Sequence, residues 1–210
     1  MPKTLKRAAP VSSVRTRRAY FDCRFGQLHV RTAFPTTGGF DEQVTLICLH
    51  GPCAASREFA RFLPLIADQR SVYAPDLPGS GESDAPESGS EDPVGAITEL
   101  AKDLRLRQID VLGFASGAAV AVELAIANPD LVRRVVLVAA VPTERWSLVR
   151  QSALVLTIGE QTAATRERGR GLPANAQHVH VVEYAADLFT AAPQTLATLF
   201  AEFLNEEGGA

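Results

Sequence analysis

Residues 109–129 read IDVLGFASGAAVAVELAIANP. Four features follow one another: an apolar run (IDVLGF), a pentapeptide bounded by Gly113 and Gly117, a run of small and aliphatic residues, and Asn128-Pro129. The apolar run suits a buried strand, and the small-residue run suits a helix packed closely on it. Asn-Pro then stops the helix. A strand, a tight glycine turn and a helix are the setting of the G-x-S-x-G nucleophile elbow. The central residue here is Ala115, and the serine is one place late, at Ser116.

Outward from this stretch the same alternation repeats. Upstream, VTLICLHG is an apolar strand with almost no polar interruption, as expected when a sheet is covered on both faces. SREFARFLPLIAD carries Phe59, Phe62, Leu63 and Ile66 at helical spacing, with Ser56 as its N-cap. SVYAPDLP is a strand, GSGESDAPESGSEDP a polar loop, and VGAITELAKDLRL a helix. Downstream, VRRVVLVAA, ALVLTIGE and QHVHVVEY are strands. PQTLATLFAEFL is a closing helix with Pro193 in its first turn. At the start, AYFDCRF and LHVRTAF flank Gly26-Gln27 and read as a β-hairpin. Strands alternating with helices predict an α/β fold: a mostly parallel twisted sheet with helices on both faces, plus an antiparallel N-terminal hairpin at one edge.

The chain has 210 residues, 46% of them hydrophobic and 21% charged, which suits one globular domain. Its longest apolar run, VVLVAAV, is far shorter than the roughly 20 residues of a membrane span. The net charge of −3 gives no general attraction to nucleic acid. It is unevenly spread: Met1 to Tyr20 carry +6 and no acid, leaving 15 basic and 24 acidic residues, net −9, in the rest. We therefore divide the chain into a basic, flexible arm over residues 1–19 and a single domain over residues 20–210. The arm lacks the apolar core of a secretory signal, and is the one place where a weak phosphate or membrane-surface contact is expected. Cys23, Cys48 and Cys53 have no metal-ligand or C-x-x-C spacing. Cytoplasmic location is the expectation, with no metal, no cofactor and no membrane span. A small-molecule ligand, a protein partner or self-association are all compatible with this composition.

Three stretches, LHGPCAASREFARFLPLIA, YAPDLPGSGESDAP and IDVLGFASGAAVAVELAIANPDLVRRVVLV, together resemble the α/β-hydrolase superfamily. The likeness is to the branch of small esterases, haloperoxidases and proline iminopeptidase-like enzymes, and it covers roughly residues 20–205. The resemblance implies the α/β-hydrolase fold and a Ser-His-Asp site at the upper ends of the strands. Matched residue by residue, it puts Ala115 at the nucleophile, Thr162 at the acid and Ala186 at the histidine. In LHGPC, the second oxyanion donor would be the N–H of the residue after His-Gly. That residue is Pro52, which has none. The first donor would be the N–H of Ser116. The branch usually inserts a helical lid after the strand VVLVAA; here only VPTERWSLVRQS intervenes, so no lid domain is expected.

Fold alone does not fix function, and three readings follow. In the first, the chain is a non-hydrolytic binding, regulatory or scaffold member with a degenerate triad. Its ligand pocket would be lined by His50, Gly51, Pro52, Cys53, Phe114, Ala115, Ser116 and Trp146, with Trp146 covering the mouth. In the second, an active hydrolase uses Ser116 or Cys53 as nucleophile. In the third, a lyase, isomerase or cyclase draws acids and bases from Asp187, Glu183, Glu160, Asp76 and Tyr184. The histidines limit the second reading. His50 belongs to the His-Gly turn and is expected to order its own loop. His29 is on the hairpin, away from the mouth, and His178 and His180 share one face of a strand. Ser116 is expected to bond backbone at the helix start.

Overall fold

A computed structural model describes residues 14–35, 43–52, 54–87, 92–140, 143–158, 172–181 and 188–206. Eight strands form one sheet in the order β1-β2-β4-β3-β5-β6-β7-β8. They are β1 (Arg15–Cys23), β2 (Gly26–Phe34), β3 (Thr45–Leu49), β4 (Val72–Pro75), β5 (Ile109–Phe114), β6 (Val132–Val138), β7 (Ser152–Ile158) and β8 (Ala176–Val181). From β4 to β8 every pairing is parallel; β1 with β2, and β2 with β4, are antiparallel. Among the described residues, no helix is long and apolar enough to cross a membrane.

Alternation along the central strands feeds two cores. Leu112, Val136, Val138, Leu154 and Leu156 point to one face. There they meet α1 (Leu63–Ile66), α4 (Leu188–Ala191) and α5 (Pro193–Asn205). Val111, Val135, Leu137 and Val155 point to the other, against α3 (Gly117–Ala127) and Ile97 of α2 (Pro93–Asp103). Both faces are thus covered, which is why these strands read as continuous apolar runs. α3 buries Ala118, Ala121 and Ala125 along with Val122 and Leu124. Its small residues let it lie close on β3, β5 and β6.

The lower ends of β5 and β6 are tied to the C-terminus of α5 by charge. Asp110 is fully buried and accepts from Arg133 Nε at 2.9 Å, Arg133 Nη2 at 2.6 Å and Arg70 Nη1 at 3.2 Å. Arg133 also donates to the Leu204 carbonyl at 2.8 Å, and Arg134 to the carbonyls of Phe203 and Glu206. Arg70 adds a bond to the Asn205 side chain. Arginines thus satisfy the last carbonyls of α5, where the helix dipole favours positive charge. Burial pushes the Asp110 carboxyl up, against the pull of Arg133.

Four expectations need correction. Residues 15–19, assigned to the arm, belong to β1, which pairs with β2 along its whole length; exposed arginines suit an edge strand. The hairpin turns at Arg24-Phe25, and Gly26, with φ +118°, already belongs to β2. SREFARFLPLIAD is not one helix. It forms a 3-10 turn at Ser56–Phe59 and then the short α1. Pro64, which cannot donate, is tolerated only in the first turn of α1. Ser56 is not the N-cap: Ala55 is, and the Ser56 N–H donates to Asp76 Oδ1 at 2.5 Å. Among the described residues, the connection from β6 to β7 contains a 3-10 turn at Glu144–Leu148 and no lid domain.

Candidate active site at the elbow

β5 ends at Phe114, and the next residue makes the turn. Ala115 has φ +51°, the left-handed conformation an elbow imposes. Its N–H donates to the Val138 carbonyl of β6 at 2.9 Å, and its carbonyl accepts from Ala118 at 3.1 Å. The two glycines are required by contact. A Cβ on Gly113 would meet Ala118 Cα at 2.5 Å, and one on Gly117 would meet the His50 carbonyl oxygen at 2.5 Å, with the Leu49 carbonyl closer still. β3 and β5 are adjacent and parallel, Leu49 opposite Gly113. The loop leaving β3 therefore crosses the elbow: a Cβ built on Gly51 would lie 3.2 Å from the Ala115 methyl.

That loop is held by His50. Its Nδ1–H donates to the Gly51 carbonyl at 2.9 Å, and its Nε2 accepts from the Leu77 N–H at 2.9 Å. Both ring nitrogens are occupied, so the expected loop-ordering role is what the geometry supplies. Pro52 is exposed and carries no N–H. Burial pushes the Glu58 carboxyl up, against a smaller pull from the Gly51 backbone. Sequence reasoning missed Glu58, because an acid in a helical-looking stretch gives no sign of reaching back to a loop.

Ser116 occupies the N-cap of α3 with φ −66°, and it is exposed. Its side chain makes no capping bond, contrary to the expected backbone bond. Ala115 is half-buried and packs on an apolar cluster. Phe114 faces Phe189 edge-on at 5.3 Å, and Phe189 in turn meets Phe59 at 4.8 Å and Phe62 at 5.2 Å. Trp146 is not a cover for the mouth. It is 2% exposed and lies in the core on the α3 face, the opposite face from the Phe114 cluster. An indole in the short turn after β6 is better stabilised by burial against α3 than by lying exposed.

Asp76 and His29 do not join the elbow. They lie opposite each other across β2 and β4, His29 Nδ1 donating to Asp76 Oδ2 at 2.9 Å in a buried pair. Burial of the Asp76 carboxyl opposes ionisation, but N–H bonds from Glu82 and Ser56 outweigh it and hold the carboxyl below its usual range. His178 and His180 are backbone positions of β8 opposite Val155 and Thr157. Cys53, Glu160, Thr162, Glu183, Tyr184, Ala186 and Asp187 lie outside the described residues.

With this geometry in place, comparison with known proteins assigns the family. The α/β hydrolase fold family matches residues 44–206. The chain belongs to the α/β-hydrolase family. A soluble epoxide hydrolase from Corynebacterium sp. (strain C12) is 34% identical over 99 residues, 46% of this chain and 35% of the relative. The uncharacterized hydrolase YugF of Bacillus subtilis (strain 168) is 26% identical over 96 residues, 44% of this chain and 35% of the relative. The matched part of the chain thus spans about a third of the length of either curated relative. A predicted CIB-like hydrolase from Thermoplasma acidophilum superposes with a TM-score of 0.77 at 17% identity, covering 91% of this chain and 99% of that one. Naproxen esterase from Bacillus subtilis gives 0.79 at 14% identity, covering 93% of each chain. At these identities the structural likeness speaks for the fold.

Proposed function

We propose that this chain is an α/β-hydrolase-fold protein without Ser-His-Asp hydrolysis, acting as a binding, regulatory or scaffold member of the family. The observation that carries the reading is Ala115 itself. It adopts the elbow conformation, φ +51°, between the two glycines that the turn requires, and its methyl has no atom able to attack a substrate. Three further features support it. Both nitrogens of His50, the histidine nearest the elbow in the described chain, are committed to its own loop. Pro52 stands where an oxyanion N–H would be needed, a loss worth about 3 kcal/mol in transition-state stabilisation. The floor beside Ala115 is built of phenylalanine rings rather than acids and bases. The half-buried Cys23 and buried Cys48 are free thiols, which fits a reducing cytoplasm.

The test is a fluorophosphonate probe together with turnover of short acyl esters and of a simple epoxide, the substrate class named by one relative. The expected result is no labelling and no turnover. Turnover abolished by Ser116→Ala or Cys53→Ala, in variants that still fold, would show a displaced nucleophile. Ala115→Ser alone is expected to leave the protein inactive, because a hydroxyl without an imidazole is not activated.

A further inference from the structure

Most of the unpartnered buried polar atoms in the described residues gather in one place away from Ala115. Among the described residues, four buried side-chain atoms lack a hydrogen-bond partner: His29 Nε2, Arg31 Nε, Ser56 Oγ and Glu58 Oε2. Three of the four belong to residues lining one cavity of about 260 Å³ between β2 and the 3-10 turn, with Arg57, Asp76 and Glu82 completing its polar wall. Neither Ala115 nor His50 lines it. His29 and Ser56 are each only 1% exposed.

The cavity's acids are already committed. Asp76 accepts from His29 Nδ1, from the Ser56 N–H and from the Glu82 N–H at 2.9 Å. The Glu82 carboxylate accepts from the Tyr20 hydroxyl at 2.8 Å and faces Arg18 at 3.6 Å. The remaining capacity is mainly that of donors. Arg31 Nε can only donate, Ser56 Oγ can donate, and His29 Nε2 is open beside them. Arg31 also lines an adjoining cavity of about 450 Å³ together with Arg17 and Arg18, so the approach is basic. Buried donors of this kind are normally paired, and an arginine beside an imidazole is suited to an oxygen anion.

We propose that the cavity between β2 and the 3-10 turn is a binding site for a small oxyanion, a carboxylate or phosphate group held by Arg31 and Ser56 beside the open Nε2 of His29. This site is independent of the elbow chemistry. The full-length protein is titrated with sodium phosphate and, separately, with sodium acetate at constant ionic strength, while the imidazole nitrogens of His29 are followed by NMR. Assignment comes from His29→Gln. We expect a saturable shift at His29 Nε2 with a dissociation constant on the order of 1 mM or tighter for at least one of the two anions. The preferred anion identifies the ligand as phosphate-bearing or carboxylate-bearing. Arg31→Gln, which keeps a polar side chain, should weaken that binding about tenfold or more while the unfolding temperature changes little. No saturable shift with either anion overturns the proposal, whatever the variants do. Unchanged affinity in a folded Arg31→Gln protein overturns it too.

Discussion

The lower and upper ends of β5 are built from opposite materials. At the lower end Asp110 accepts three guanidinium bonds from Arg70 and Arg133, and Arg133 with its neighbour Arg134 reaches the last carbonyls of α5. At the upper end, four residues along, Phe114 and Ala115 form a turn with a methyl, an exposed Ser116 hydroxyl that makes no capping bond and phenylalanine rings beneath. In a parallel α/β sheet the upper ends of the strands are where ligands bind. In β5 the dense polar chemistry is at the end that holds the fold together. Perturbations should therefore separate cleanly: stability losses from the lower end and from close backbone packing, and small changes from the side chain at the elbow.

The largest effect is expected from Asp110→Ala. It removes the carboxylate between two arginines and leaves Arg70, 2% exposed, buried with an uncompensated charge. Breaking such a pair costs about 3–5 kcal/mol. Urea unfolding measures it, and a loss below about 1 kcal/mol would mean that the arginine cluster is not what anchors α5. Gly117→Ala follows. The added methyl would press on the carbonyls of Leu49 and His50, which are backbone and cannot rotate away. A loss of about 1–3 kcal/mol is expected. A neutral result would mean that the loop above the elbow yields more easily than its His50 bonds suggest.

The sequence makes the central architecture legible because both faces of the sheet are buried. Ile109–Phe114, Val132–Val138 and Ser152–Ile158 are apolar through their middles, as covered parallel strands are. Gly113 and Gly117 mark the elbow by their spacing alone, and Ala115 is legible as its centre. The illegible parts are those settled by contacts distant in sequence. Glu58 comes within electrostatic reach of the Gly51 backbone, a loop contact no periodicity announces. The His29–Asp76 pair depends on β2 pairing antiparallel with β4 across intervening chain. Trp146 turns inward because α3 offers a face to cover. Ala55, not Ser56, takes the cap position of the 3-10 turn, while the Ser56 N–H is held by the distant Asp76.

Asp76 provides a smaller effect that depends on pH. Its carboxyl is held below the usual range in the folded protein, so the folded state binds its proton more weakly than the unfolded state. The stability it contributes is full above the unfolded value of about 3.9, and is lost as pH falls through the lower folded value. Asp76→Asn should lower stability at neutral pH, and its deficit relative to the parent protein should shrink below about pH 4. Unfolding midpoints measured from pH 3 to pH 7 test this. A deficit that stays constant down to the acid limit would mean that the His29 pair matters only as a packing contact.

The smallest effect lies at the elbow itself. Ala115 and Ala139 follow β5 and β6 with φ of +51° and +52°. Each N–H is drawn to a carbonyl of the next strand, Ala115 to Val138 and Ala139 to Leu156, both at 2.9 Å. A left-handed alanine costs about 1–2 kcal/mol. Glycine removes that strain but loses about 0.5–1 kcal/mol through the freedom of its unfolded chain. Ala115→Gly should therefore stabilise the protein by about 0.5–1 kcal/mol, and Ala139→Gly by a similar amount. The pair isolates backbone strain from side-chain packing. If Ala139→Gly stabilises and Ala115→Gly destabilises, the Ala115 methyl contributes more through its contacts with the phenylalanine cluster than the turn costs. The alanine would then be a packing element of the elbow, and the upper end of β5, like the lower, would serve the fold.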